Sequence, residues 1–155
     1  MSKLRYGLAL IWPIRFHQQD PHPTVIEPIK VVFNDMLRLL CGNRRDDRVS
    51  IASMLNQLQW LSLNQLAAEV RLKETWKALH QGSSLSGLFQ RVESSTRATT
   101  IHNTVQIGMT STIKENSFLH PSAKLWNIAP QAVVNAATER QAKKAIRDFV
   151  KTLPL

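Results

Sequence analysis

The stretch "SLNQLAAEVRLKETWKALHQG", residues 62–82, carries helix signals at both of its ends. Ser62 and Gln65 stand at its start with the spacing of a capping box, in which each side chain bonds the backbone N–H of the other residue. Gly82 stands at its end, where glycine commonly stops a helix in the left-handed conformation. The apolar residues in between follow a broadly helical period: Leu63, Leu66, Val70, Trp76 and Leu79. The stretch therefore predicts a helix between Ser62 and Gly82.

Helical patterns also occur on both sides of this stretch. Pro28 fits the first turn of one of them, and Gly42 is placed to end it. Pro121 can start another. Thr138 and Gln141 repeat the capping-box spacing before the last one. The predicted helices span Ser2 to about Trp12, roughly Val25 to Leu40, about Arg48 to Leu58, a stretch that starts at Pro121 and ends before Pro130, and about Thr138 to Lys151.

The composition changes in the middle of the chain. Residues 82–116 are rich in serine and threonine and show no sustained period. This composition is typical of a flexible linker. The alternative is that "TTIHNTVQI", residues 99–107, forms a short strand. We predict an all-α fold, a small assembly of about five to six helices. It has a helical region at 1–81, the linker at 82–116 and a C-terminal helical segment at 117–155.

The net charge is the strongest bulk signal. The chain has 155 residues, 43% of them apolar, and a formal charge of +9. A basic excess of this size favours nucleic acid as partner, with an anionic membrane second and a merely solvated basic surface as the third interpretation. The single cysteine, Cys41, cannot form an internal disulfide, so we expect an intracellular protein, nuclear or cytoplasmic. The short apolar run near the N-terminus is too short for a membrane span.

The last predicted helix combines a basic side with an apolar side. Arg140, Lys144, Arg147 and Lys151 recur at i, i+4, i+7 and i+11, and Lys143 borders them. Such a helix can dock on a core and present cations to phosphates, or it can be an ordinary solvated surface helix. Lys3 and Arg5 form a second basic spot on the first predicted helix. We predict these seven residues as nucleic-acid contacts.

Candidate catalytic residues are few. Asp46 and Asp47 are adjacent, as in some metal-dependent transferases, but no third acidic residue lies nearby in the sequence. We therefore expect them to cap a helix or pair with the flanking arginines. The histidines lack helical ligand spacing, and phosphate-binding or dinucleotide-binding motifs do not occur. We expect no metal and no cofactor, and we expect the four tryptophans to pack in the core.

Five blocks in their order resemble one protein family. The blocks are "SKLRYGLALIW" (2–12), "IEPIKVVFNDMLRLLCG" (26–42), "WLSLNQLAAEVRLKETWKAL" (60–79), "SFLHPSAKLWNIAP" (117–130) and "ATERQAKKAIRDFVKTLP" (137–154). Together they resemble the C-terminal region of the reverse transcriptase polyprotein of non-LTR retrotransposons, the long interspersed elements of animals. The resemblance implies a thumb-like region at 1–81 that follows a catalytic palm.

The resemblance also implies that the chain is not an enzyme. Nucleotidyl transfer in that family needs palm aspartates, including a Tyr/Phe-x-Asp-Asp hairpin, and this sequence has no such hairpin. Asp46 and Asp47 lie downstream of the "KLRYG" block, on the wrong side of the palm. What carries over is the thumb role, a sequence-independent contact with the backbone of an RNA or RNA–DNA template–primer duplex.

Two further interpretations stay open from the sequence. The chain begins inside the first family block, as a truncated copy would, so helices that pack on a palm in the full enzyme would expose apolar surface here. Self-association or binding of a partner protein through those faces is the first alternative. A relic without selected function is the second.

Overall fold

Helices dominate the fold. The computed structural model describes residues 23–83, 85–92, 104–107 and 118–153. This part of the chain contains six α-helices, one 3-10 turn and one two-stranded sheet. The predicted all-α class is confirmed, and the small sheet is an addition to it. The helix predicted from Ser2 to Trp12 lies outside the described residues.

Helix α1 spans Pro23–Cys41, slightly longer than predicted. Pro28 is its sixth residue, whereas a place in the first turn was expected. The end is as predicted, because Gly42 adopts φ +72°. The Gly42 N–H donates to Leu39 O at 3.3 Å and the Asn43 N–H to Arg38 O at 2.8 Å. These two bonds form a Schellman motif, which satisfies the last carbonyls of the helix.

Helix α2 spans Ile51–Leu58 and begins later than predicted. Its cap is Ser50, whose Oγ accepts the Ser53 N–H at 3.1 Å. Asp46 and Asp47 are therefore not helix caps, which corrects one of the two roles expected for them. Asp47 instead closes a turn, because its Oδ2 accepts the Arg44 backbone N–H at 2.5 Å.

Helix α3 spans Leu63–Gln81 and has the predicted signals at both ends. Ser62 Oγ accepts the Gln65 N–H at 3.2 Å, and Gln65 Oε1 accepts the Ser62 N–H at 3.0 Å. Gly82 follows the helix at φ +63°. The predicted capping box and glycine stop are both confirmed.

A 3-10 turn at Ser86–Leu88 leads into a small antiparallel sheet. Strand β1 spans Phe89–Val92 and strand β2 spans Thr104–Ile107. The register pairs Phe89 with Ile107 and Val92 with Thr104. Strand β2 falls within the "TTIHNTVQI" stretch, where a short strand was one of the two alternatives.

Three helices complete the chain. Helix α4 spans Leu119–Ile128, α5 spans Gln131–Val134 and α6 spans Glu139–Val150. The sequence did not predict α5, which Pro130 precedes as N-cap residue. Thr138 caps α6 by accepting the Gln141 N–H on its Oγ1 at 3.3 Å. The predicted start of the last helix is thus correct within one residue.

Two hydrophobic clusters hold these elements together, and α3 belongs to both. The minor core joins α1, α2 and the start of α3. The major core joins the rest of α3 to β1, α4, α5 and α6. The minor core consists of Phe33, Leu37, Met54, Leu55, Leu63 and Ala67. The major core includes Leu72, Trp76, Phe89, Leu125, Trp126 and Ile146.

Two long-range hydrogen bonds attach α3 to the C-terminal segment. Gln65 Nε2 donates to Leu153 O at 3.1 Å, and Trp76 Nε1 donates to Ala136 O at 3.3 Å. The division into regions at 1–81, 82–116 and 117–155 stays a prediction. Across it, α3 and the C-terminal helices bury their side chains in one shared core.

Candidate nucleic-acid interface

Helix α6 docks through its apolar side. Ala142, Ile146 and Val150 are at most 1% exposed and belong to the major core. Their i, i+4, i+8 spacing places them along one line of the helix, which packs against α3. The docked side fixes which residues of α6 face the solvent.

The basic residues predicted on α6 are all exposed. Arg140, Lys144, Arg147 and Lys151 run along the solvent side of the helix, and we call these four residues the basic stripe. At a rise of about 1.5 Å per residue, the stripe is roughly 16 Å long. Lys143 borders the stripe and pairs with Glu139 at 2.6 Å, so its charge is partly neutralised.

The basic stripe differs from many other cations among the residues that the structure describes. No ion pair found among the described residues involves Arg140, Lys144, Arg147 or Lys151. Elsewhere in this part of the chain, several cations pair with carboxylates, usually three or four residues away on the same helix, whereas the exposed Arg44 and Arg48 before α2 also have no ion pair found there. The pairs are Lys30–Glu27, Arg38–Asp35, Arg45–Asp35, Lys73–Glu69 and Lys77–Glu74. The stripe thus concentrates positive charges that are in none of the ion pairs found in the described part of the chain.

Lysines of α3 lie next to the docked edge of α6. Lys73, Lys77, Lys143 and Glu139 line a narrow cleft between the two helices. The hydrogen bond and charge of Lys143 lower the pKa of Glu139, and the charge of Lys77 acts in the same direction. Sequence reasoning did not connect Lys73 and Lys77 with α6, because their nearness depends on how the two helices pack.

An open groove lies on the other side of the basic stripe, between α5 and α6. Its volume is about 760 Å³. Ala136, Ala145 and Phe149 give it an apolar floor, and Lys144 belongs to both the groove and the stripe. The groove was missed from the sequence because its wall includes α5, which was not predicted.

The predicted basic spot at Lys3 and Arg5 lies outside the described residues. The structure therefore describes five of the seven predicted contacts, four of them in α6 and the fifth, Lys151, at its C-cap.

The structure assigns the other candidate residues as follows. Asp46 and Asp47 are both exposed in the turn before α2. Trp76 and Trp126 are 3% and 1% exposed, which confirms core packing for these two tryptophans. Within residues 23–83, 85–92, 104–107 and 118–153, no three His, Cys, Asp or Glu side chains are grouped closely enough to hold a metal ion.

Arg71 is a cation of a different kind, since it is only 1% exposed. Burial lowers its pKa to about 10, which leaves the guanidinium charged at neutral pH. Its Cζ lies 5.9 Å from the centre of the Phe118 ring. An aromatic face at this distance attracts a cation, so Arg71 belongs to the interior packing and not to the interface.

Among the helices that the structure describes, none has the length and apolar character needed to span a membrane. No protein-family model, no curated protein and no solved structure matches the chain.

Proposed function

We propose that the protein binds nucleic acid without sequence specificity, through backbone phosphates that contact the basic stripe of α6. The observation that carries this proposal is the alignment, along one side of α6, of four exposed cations for which no ion pair is found in the described part of the chain. Side chains of this kind can neutralise phosphates without first breaking an internal ion pair.

The resemblance to the C-terminal region of a non-LTR retrotransposon reverse transcriptase supports the choice of ligand. In that region a thumb contacts the template–primer duplex through its phosphates. We propose an RNA–DNA duplex as the first ligand to test, and we propose that the protein is not itself a polymerase. The turn position of Asp46 and Asp47 agrees with this reading, because Asp47 bonds a backbone N–H of its own turn.

The magnitude of the expected salt effect follows from the number of cations. Binding that neutralises four phosphates of a duplex has a slope of about −3.6 in log affinity against log salt. Affinity should therefore fall about 150-fold between 50 and 200 mM salt. A contact that is mainly apolar would show almost no such dependence.

Fluorescence anisotropy of a labelled RNA–DNA duplex, titrated with protein at both salt concentrations, tests the proposal. We expect binding at low salt that weakens as calculated. The variant Arg140→Glu/Arg147→Glu should lose most of the affinity. The matched control is Arg44→Glu/Arg48→Glu, which changes the net charge equally at exposed positions of the turn before α2.

Two results would contradict the proposal. One is the absence of binding at low salt by a protein whose circular dichroism shows it to be folded. The other is an equal loss in both charge-reversal variants, because then only the net charge matters and α6 has no special part.

A second function is favoured by the surface of α1, whose apolar residues are not all buried. Val32 is 70% exposed and Leu39 is 80% exposed, seven residues apart on the same side of the helix. Val31 and Leu40 are about half exposed. We propose self-association or partner binding through this face as the alternative. An oligomer that persists at high salt would favour it over nucleic-acid binding.

A further inference from the structure

We propose that the groove between α5 and α6 takes an unpaired base of single-stranded nucleic acid, while the basic stripe holds the phosphates of the same strand. This inference rests on the proposed function and extends it, because it names the class of nucleic acid. The groove and the stripe share Lys144, so a ligand that contacts one lies beside the other.

The volume and lining of the open groove suit a partly apolar ligand. Its volume of about 760 Å³ lies within the usual range for small-molecule sites. Phe149 and Ala145 are half-buried, which leaves part of the ring and the methyl group accessible. A base stacked on an aromatic side chain gains about five- to 150-fold in affinity.

Polar groups at the rim complete the match with a base. The exposed side chains of Asn135 and Gln141 line the groove and offer amide donors and acceptors. These groups can bond the edge of a base once it leaves its own pairing partner. The floor beneath them is apolar, so the groove combines stacking and hydrogen bonding as single-strand sites do.

The charges around the groove decide how the strand lies. Asp148 lines the groove at the edge next to the stripe, one turn after Lys144, and its carboxylate disfavours phosphate inside the groove. Phosphates are therefore favoured on the basic stripe, and the uncharged base is favoured in the groove. In this orientation, one strand contacts the stripe with its phosphates and the groove with a base.

A duplex cannot use the groove, because its bases are paired and stacked inside the helix. It can contact only the basic stripe. The inference therefore predicts that single strands bind more tightly than duplexes of the same length, although the duplex has the higher charge density.

The test uses an oligonucleotide that contains the fluorescent base 2-aminopurine, either as a single strand or annealed to its complement. Anisotropy of an end label gives the affinity, and the 2-aminopurine emission reports the surroundings of the base. We expect the single strand to bind at least fivefold more tightly, with a change in 2-aminopurine emission that the duplex does not show.

Two variants separate the groove from the stripe. Ala132→Leu adds a large side chain at an exposed alanine that lines the groove. It should weaken single-strand binding at least fivefold and leave duplex binding unchanged. Ala137→Leu is the matched control, since Ala137 is also exposed but is not among the residues that line the groove. It should change neither affinity.

The outcomes distinguish this inference from the function on which it rests. If single strand and duplex bind equally and Ala132→Leu has no effect, the groove inference is wrong and the phosphate-binding function stands. If Ala132→Leu weakens both ligands equally, base insertion is likewise excluded. If an apolar dye that Ala132→Leu excludes from the groove stays bound at saturating single strand, the groove belongs to an apolar partner. If neither nucleic acid binds at low salt, both proposals fail.

Discussion

The carboxylate of Asp35 receives hydrogen bonds from two arginines. Arg45 Nε donates to Asp35 Oδ1 at 3.1 Å, and a second nitrogen of Arg45 donates to Oδ2. Arg38 Nη1 lies 3.4 Å from Oδ1. The hydrogen bonds from Arg45 are the main cause of the lowered pKa of Asp35, and the charges of both arginines add to them. The link joins α1 to the turn before α2, so it acts on tertiary structure.

This lowered pKa predicts a pH-dependent contribution to stability. A carboxyl whose pKa is lower in the folded state stabilises the protein fully above its unfolded pKa, near 3.8 for Asp35. The contribution is lost as the pH falls through the folded value. Asp35→Asn should therefore lower the melting temperature at about pH 7, and the difference from the natural chain should shrink as the pH falls below about 3.8.

Thermal unfolding followed by circular dichroism at several pH values measures this difference. Asp46→Asn is the control, because Asp46 is exposed and is in none of the ion pairs found in the described part of the chain. A difference for Asp35→Asn that does not shrink as the pH falls below about 3.8 would show that the charge of Asp35 is not its cause.

Hydrogen-bonding residues show what the sequence could and could not predict at this scale. The reciprocal bonds of Ser62 and Gln65 were predictable, because both partners lie within four residues and follow a known pattern. The bond from Gln65 Nε2 to Leu153 O joins residues 88 positions apart. No local pattern encodes that contact, since it depends on the packing of α3 against the C-terminal segment.

At the scale of elements, α1 presents apolar residues on more than one side. Phe33 and Leu37 face α2 and α3 in the minor core, while Val32 and Leu39 face the solvent. A helix that is apolar on most sides usually has neighbours on most sides. The apolar pattern therefore predicted α1 well, but it could not tell which of its sides the described fold would bury.

Leu37→Ala and Leu39→Ala separate the two sides of α1. Leu37 is 0% exposed, and its truncation should lower the free energy of unfolding by about 2–5 kcal/mol. Leu39 is 80% exposed, so the same change there should cost under about 0.5 kcal/mol. Urea denaturation of both variants gives the comparison. Both variants carry a Leu→Ala substitution in the same helix, so the two sites differ in the burial of the leucine.

A large loss in Leu39→Ala would contradict the packing described for α1. It would show that Leu39 is buried in solution, either against a partner or in a second copy of the chain. Repeating the denaturation at a tenfold lower protein concentration distinguishes the second copy, because the stability of an oligomer depends on concentration.

The limits of sequence reasoning at this scale have physical causes. Long helices with caps and a clear apolar side, such as α3 and α6, were predicted nearly to the residue. Helix α5 has four residues and strand β1 also has four, too few for a period to show. The groove beside α6 depends on α5, so that part of the candidate site could not be predicted, whereas the basic stripe could.

At the scale of the whole molecule, the major core crosses the predicted boundary between the N-terminal and C-terminal regions. Leu72 and Trp76 of α3 pack in one cluster with Trp126 of α4 and Ile146 of α6. Residues 82–116 differ from the flanking regions in composition, because they are rich in serine and threonine and show no sustained period. Composition could not show whether the helices on either side fold separately or share their interior, because that depends on contacts between distant residues.

A chain that ends after Gly82 should therefore fail to fold cooperatively. Burial of one large apolar side chain contributes roughly 1.5–3 kcal/mol, so exposing Leu72 and Trp76 alone removes about 3–6 kcal/mol. The net stability of a whole domain is about 5–15 kcal/mol. We expect residues 1–82 to show weaker helical circular dichroism per residue and a broad thermal transition, where the full chain shows a sharp one. A sharp transition in the shorter chain would mean instead that the minor core suffices to order α3, and the predicted boundary after residue 81 would then separate two folding units.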